Sequence, residues 1–264
     1  MEYKDVFLKR VSKIEDKLFL SKLLDKAIKA EDTRSVTYSD FLDPYQKSLL
    51  QKTFKVDNDI KYIFNGGYPG AEREIVVFCP NNMSIYDYPN FKYPLNLIEI
   101  SSRKMENLSH RDFLGALMGL GIKREKVGDI LLEEGICRVI VINEIADYIK
   151  FNLDKIGKTR VDVEIKSVDE IQCQEKRFKE VNSTVASLRL DSIASAGFGI
   201  SRSKIAEYIR AEKVNINWEK TVSLTKQVQE GDTISIRGKG RVVLERVGGL
   251  TRKGRISILL KKYI

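Results

Sequence analysis

The apolar spacing switches from helical to strand-like within residues 188–245, and that switch bounds what the C-terminal part of the chain can fold into. The stretch reads LRLDSIASAGFGISRSKIAEYIRAEKVNINWEKTVSLTKQVQEGDTISIRGKGRVVLE. Leu188, Leu190, Ile193 and Ala194 recur at helical spacing and predict a short helix that stops at Gly197. Gly199 lies two residues on, where positive φ is tolerated. Ser201 suits the N-cap of a second helix whose Ile205, Ala206 and Ile209 face a core. Arg202 and Arg210 are eight residues apart and fall on one side of that helix, away from the apolar residues. Residues 214–218 and 233–237 alternate as strands, with a turn at Gly231 and Asp232 between them.

Charge singles out the same region. Residues 182–264 hold 16 Lys and Arg against 7 Asp and Glu, whereas the other 181 residues hold 30 of each sign. The whole net charge of +9 therefore sits on one small module, the electrostatic footprint of phosphate binding. Arg202, Lys204 and Arg210 would project from the second helix, with Lys213 just beyond it. Arg237, Lys239 and Arg241 alternate with glycines that let a backbone approach phosphates closely, and Arg252 and Arg255 repeat the pattern. Neutralising five phosphates would give a log–log salt slope of about −3.5 to −4.5.

The ordered landmarks R-L-D, S-R-x-x-A-x-x-I, V-x-I-N and G-D-x-I-x-I-R-G resemble the S4 RNA-binding domain over roughly 55 residues. Asn217-Trp218 replaces the usual Asn-Gly turn of that family. The resemblance implies that both helices dock on structured RNA, with Arg189, Asp191 and Arg202 at RNA-facing or loop-ordering positions. On the residues alone, Asp191 either pairs with Arg189 or caps the first helix.

The rest of the chain reads as a globular α+β protein. No run of about 18 apolar residues is present, and the first 20 residues mix charges, which excludes a membrane span and a signal peptide there. Cys79, Cys137 and Cys173 are odd in number and in no CxxC pair, as expected of reduced thiols in the cytoplasm. One histidine and no clustered ligands exclude structural zinc. Residues 1–60 predict helices, with Ile14 and Leu18 in the apolar period and Pro44 opening a later helix. Residues 61–166 predict a ferredoxin-like or RRM-like sandwich, its strands including 61–64, 74–78, 97–100, 137–142 and 160–165. Helices are expected from Ser109, over 124–134 and over 144–153, with Ser109 and Asp112 spaced as a capping box. Residues 167–181 read as a helical or linker segment before an S4 module at 182–264.

Several local motifs have structural explanations. Gly66-Gly67-x-x-Gly70 lacks the GK[ST] ending of a phosphate loop and reads as a turn. Gly115 and Gly119 in one helix predict a second backbone packed against them. His110 sits at a helix start, where a structural role outweighs a nucleic-acid contact. With Arg103, Lys104, Arg111, Lys123 and Arg124 it forms a secondary set of candidate RNA contacts. No RRM stacking aromatics are recognisable on the central strands.

The motifs GGYPGAERE, SHRDFLGALMGLGIKREKVGDI and EEGICRVIVINEIADYI resemble the YlmH family, and with the S4 stretch the likeness spans nearly the whole chain. It implies a bacterial cytoplasmic protein that binds rRNA and tRNA on the large ribosomal subunit. It further implies a part in quality control of stalled peptidyl-tRNA, beside a tailing factor. The chain is expected to act without catalysis, cofactor or metal, as a monomer. The rival reading is an RNA-modifying enzyme with an S4 targeting domain. Leu188 to Asp191 resembles the R-L-D motif of pseudouridine synthases, but no catalytic domain follows it, and no methyltransferase cofactor loop is evident.

Overall fold

The structure, a computed structural model, describes residues 11–54, 61–80, 91–102, 105, 108–133, 135–171 and 178–263. The chain divides into two compact units, Met1–Cys173 and Gln174–Ile264. Val6, Phe7, Tyr86, Tyr88, Arg103, Lys104 and Cys173 lie outside the described residues.

The first described element of this unit is α1 (Ile14–Thr33), whose Leu20, Leu23, Leu24, Ala27 and Ala30 are buried. Ile14 and Leu18, expected in that apolar face, are instead exposed. Strand β1 (Thr37–Tyr38) follows, then α2 (Pro44–Phe54), β2 (Lys61–Asn65) and β3 (Ile75–Cys79). The order β1-β3-β2 makes a three-stranded antiparallel sheet with β3 buried along its whole length. Alternation splits β3 between two cores. Val76 and Phe78 pack with α1 and α2, while Ile75 and Val77 pack with Phe41, Leu95, Ile140 and Ile142.

Next come β4 (Leu95–Ser101), α3 (His110–Gly119), β5 (Val127–Glu133), β6 (Ile136–Ile142) and α4 (Ala146–Asn152). The hairpin β7 (Lys155–Ile156) and β8 (Thr159–Arg160) leads to β9 (Asp162–Lys166). Sheet order β5-β6-β4-β9, all antiparallel, with β-α-β-β-α-β connectivity is the split βαβ arrangement of ferredoxin-like sandwiches. Ile98, Ile100, Cys137, Val139 and Val141 bury one face beneath Phe113 and Leu117 of α3 and Ile149 of α4.

Three expectations for this unit are corrected. Strands 61–64 and 74–78 belong to the sheet of the N-terminal helices, not to the central one. Residues 124–134 are not a helix: Arg124–Lys126 form one 3₁₀ turn and Val127–Glu133 form β5. A Cβ at Gly128 would stand 2.7 Å from the Phe41 ring, so glycine marks a close approach at a strand. Gly115 and Gly119 have nothing within 4 Å of a built Cβ, so among the described residues no second backbone packs on them. The capping box at Ser109 and Asp112 is present, with the Ser109 N–H donating to Asp112 Oδ2 at 2.8 Å.

The second unit begins with β10 (Phe178–Val185), where the sequence suggested a linker; Phe178 pairs with Tyr263 and Val185 with Ile256. Helices α5 (Leu190–Phe198) and α6 (Arg202–Arg210) precede β11 (Val214–Ile216), β12 (Glu219–Lys220), β13 (Thr233–Ile236), β14 (Gly240–Leu250) and β15 (Ile256–Tyr263). They form one antiparallel sheet in the order β10-β15-β14-β13-β11-β12. Leu190, Ile193, Ile205 and Ile209 are fully buried with Val214, Ile234, Val242 and Leu260. Each such side chain contributes about 1.5–3 kcal/mol relative to exposure.

Helix α5 runs past the expected stop at Gly197 and ends at Gly199, φ 67°. Gly197 is needed for contact: a Cβ there would lie 2.7 Å from Val242 Cγ1. Asn217 and Trp218, φ 48° and 65°, make the tight β11–β12 turn with both residues left-handed. The Asn217 amide holds it, donating to Asp232 at 2.7 Å and accepting from the Thr233 N–H at 2.9 Å.

Candidate nucleic-acid interface

Arg189 is the N-cap residue of α5 and Arg202 opens α6. Between them lies Asp191, buried to 6% exposure. Its Oδ2 accepts from Arg202 Nη2, and its Oδ1 sits 3.5 Å from Arg189 Nε. A single sequestered carboxylate thus holds two guanidiniums, whose side chains remain 38% and 54% exposed. Arg189 Nε has no hydrogen-bond partner among the described residues. Of the two roles left open for Asp191, the structure selects ion pairing. The first N–H groups of α5 are satisfied elsewhere: Leu190 donates to Lys226 O at 2.8 Å and Asp191 to Leu224 O at 3.2 Å. That contact brings exposed Lys226 beside Arg189, a cation that sequence reasoning missed because it lies 37 residues downstream.

Apart from Lys204 in the first turn, the remaining candidates of this unit gather at the far end of α6, roughly 12 Å along its axis. Arg210 closes the helix, and the Lys213 carbonyl accepts from the Arg237 N–H at 2.9 Å. Lys239 and Arg241 flank the β13–β14 turn, with the Arg241 guanidinium 5.3 Å from the Tyr263 ring centroid. Lys204 is engaged locally with Glu207 at 2.6 Å, a hydrogen bond that raises its pKa. The candidate cations on the helices and the β13–β14 turn therefore form two groups, one around Asp191 and one around that turn.

The first unit treats its cations differently. Arg124 Nη1 donates to the Val127 carbonyl and, at 3.3 Å, to that of Gly128, while Arg73 Nε reaches Val127 O at 3.1 Å. Burial, then the nearby Arg73, lowers the Arg124 pKa to about 10. Arg124 is thus committed to its own backbone, whereas Arg111 and Lys123 are exposed. His110 opens α3 at the surface; desolvation and then Arg124 hold its pKa below the ordinary value. The glycine-rich loop is closed from within. Asp129 accepts from Tyr68 Oη at 2.7 Å, from the Glu72 N–H at 2.6 Å and from the Arg73 N–H at 3.0 Å. Within the loop, the Gly67 N–H donates to Asn65 Oδ1 at 2.8 Å.

Among the described residues, the four-stranded sheet offers no free stacking platform. Its face away from α3 and α4 is covered by the three-stranded sheet at Leu95, Ile140 and Ile142. Further along, the same face carries an ion-pair ladder, Arg138 to Glu99 and Glu133 at 3.0 and 2.6 Å and Lys166 to Glu99 at 2.6 Å. Among the described residues, no group of His, Cys, Asp and Glu could hold a metal, and no helix is long and apolar enough to cross a membrane.

Comparison with known proteins fits this two-unit layout. The family model described as "YlmH, N-terminal" matches residues 15–83, and that described as "Putative RNA-binding domain in YlmH" matches residues 89–170. The chain belongs to the YlmH family. A third model, the C-terminal domain of mitochondrial transcription rescue factor 1, matches residues 179–259, the second unit of this YlmH-family chain. Ribosome-associated protein quality control protein P2 of Bacillus subtilis (strain 168) is 29% identical over 248 residues, 94% of this chain and 95% of that protein. The solved cell division protein ylmH from Streptococcus pneumoniae is 27% identical, with a TM-score of 0.49 over 61% of this chain and 98% of that one.

Proposed function

We propose that this chain is a non-catalytic RNA-binding factor of ribosome-associated quality control, acting in the cytoplasm as a monomer. Its second unit serves as an S4 domain that docks on rRNA and tRNA of the large ribosomal subunit. The observation that carries this reading is the Asp191 clamp, which holds half-buried Arg189 and exposed Arg202 as neighbouring guanidiniums on a surplus-cation module. Arginines held in advance bind phosphate with less ordering entropy. The name of the Bacillus subtilis relative, and the name of the model over residues 89–170, support the RNA and quality-control assignment. A role for Asp191 as catalytic carboxylate is disfavoured, because both oxygens are engaged by cations in a buried position. A tailing factor acting on the same stalled subunit is the expected protein partner.

The test is co-sedimentation with purified large subunits. Arg189→Ala with Arg202→Ala should abolish pelleting, while the far-end pair Arg237→Ala and Lys239→Ala should only weaken it. Full pelleting of the first variant would refute the assignment.

A further inference from the structure

Strands β14 and β15 form a hairpin whose outer half, residues 246–255, carries four cations and no acid: Arg246, Arg252, Lys253 and Arg255. Arg246, Arg252 and Lys253 are exposed and have no polar partner among the described residues. Leu250, between them, is 75% exposed. The strand carries two register shifts, between Leu244 and Arg246 and between Val247 and Leu250, so this half departs from the regular ladder. It is nonetheless tied down. The Val247 N–H donates to Glu230 Oε1 at 2.5 Å. Arg255 donates through Nε to Thr184 Oγ1 at 3.0 Å and through Nη2 to the Thr184 carbonyl at 2.5 Å. The turn closes with the Thr251 N–H on Arg255 O at 2.7 Å and the Gly254 N–H on Thr251 O at 2.9 Å.

Position adds to this. Thr184 is five residues from Arg189, at most about 18 Å of extended chain. Val185 pairs with Ile256 at the base of the turn, and the chain runs from Val185 directly to Arg189, the N-cap of α5, while Lys262 at the other end of β15 lies over the Phe198 ring at the C-terminal end of that helix. The hairpin tip and the Asp191 clamp therefore share one end of the second unit.

We infer that the β14–β15 hairpin tip is a second RNA-contacting element, with Arg246, Arg252 and Lys253 on phosphates and Leu250 against an unpaired base or ribose. This rests on the RNA-binding reading above and deepens it by adding Arg246 and Leu250 and by placing the contacts on one braced hairpin. Isolated cations around an exposed aliphatic side chain complement a polyanion whose unstacked bases offer apolar faces. A tip already held at Thr184 and Glu230 loses little freedom on docking.

The experiment measures affinity of the full-length protein for deproteinised large-subunit ribosomal RNA between 50 and 200 mM salt. The Trp218 emission, from the sole tryptophan, reports that each variant is folded. Arg252→Ala with Lys253→Ala removes two phosphate contacts and should flatten the log–log slope by about 1.4–1.8. Across that fourfold salt range the variant should lose roughly 7- to 12-fold less affinity than wild type. Leu250→Ser should leave the slope unchanged and weaken binding to RNA with unpaired nucleotides but not to a fully paired duplex. A wild-type slope in the double variant overturns the hairpin while leaving the helix surface intact. Absence of salt-dependent RNA binding in wild type sinks both. Competition by polyglutamate at least equal to that by RNA would assign the tip to an acidic protein segment and overturn it too.

Discussion

Asp191→Asn separates two explanations of RNA binding by the sign of its effect. The substitution keeps shape and adds one unit of positive charge beside Arg189 and Arg202. If summed charge alone drives binding, affinity should rise, by at most about 1 kcal/mol for groups this exposed. If fixed geometry matters, affinity should fall. Each arginine carries about 2 kcal/mol of rotamer entropy, and restoring half of it to both costs about 2 kcal/mol on docking. The net expectation is a loss of about 1 kcal/mol, roughly fivefold in Kd. The variant should also melt lower. Removing one partner of a buried ion pair costs about 3–5 kcal/mol, discounted here to about 1–2 because both arginines reach solvent. In a unit of this size that is a drop of roughly 5–15 °C. Anisotropy titrations with labelled ribosomal RNA, at several salt concentrations below the melting range, read the effect. Unchanged or tighter binding by the folded variant would refute the clamp.

Glycines give a contrasting pair of outcomes. Gly197→Ala should destabilise the second unit by about 1–2 kcal/mol, as the clash with Val242 outweighs better helix propensity. Gly115→Ala and Gly119→Ala meet open space and should each stabilise the first unit by up to about 1 kcal/mol in denaturant melts. Cys137 is fully buried, and desolvation pushes its thiol up to about 12; native protein should resist iodoacetamide there until denaturant is added. The folded pKa of His110 lies below its unfolded value, so its contribution is present above about pH 6.5 and is lost as pH falls through the folded pKa. The first unit should melt lower at pH 5 than at pH 7, and His110→Gln should reduce that difference; an unchanged pH dependence would exclude His110 as its source.

What could be read from one sequence was whatever local spacing controls. Ser201 as N-cap, Pro44 at a helix start, the Ser109–Asp112 box and alternation over 214–216 and 233–236 all depend on residues a few positions apart. The misreadings share a different cause. Residues 127–133 keep enough leucine and isoleucine for a helical period, and only pairing with β6 makes them a strand. Phe178 to Val181 looks polar enough for a linker until β15, about 80 residues later, supplies a partner. For the candidate site, charge density named the module, and the resemblance of the R-L-D stretch to the S4 domain named Arg189 and Asp191. The approach of Lys226 and the Arg255 tie to Thr184 span dozens of residues, and no single-sequence spacing encodes them.

Coverage of the four-stranded sheet on its second face at Leu95, Ile140 and Ile142 reaches beyond RNA recognition. Ile140 and Ile142 face Ile75 and Val77, so the first unit is a sandwich whose filling is supplied jointly by its two halves. Severed near residue 88, each half would display a greasy plane that water cannot wet. The N-terminal helices are accordingly no detachable appendage; any attempt to isolate the ferredoxin-like portion must carry them along.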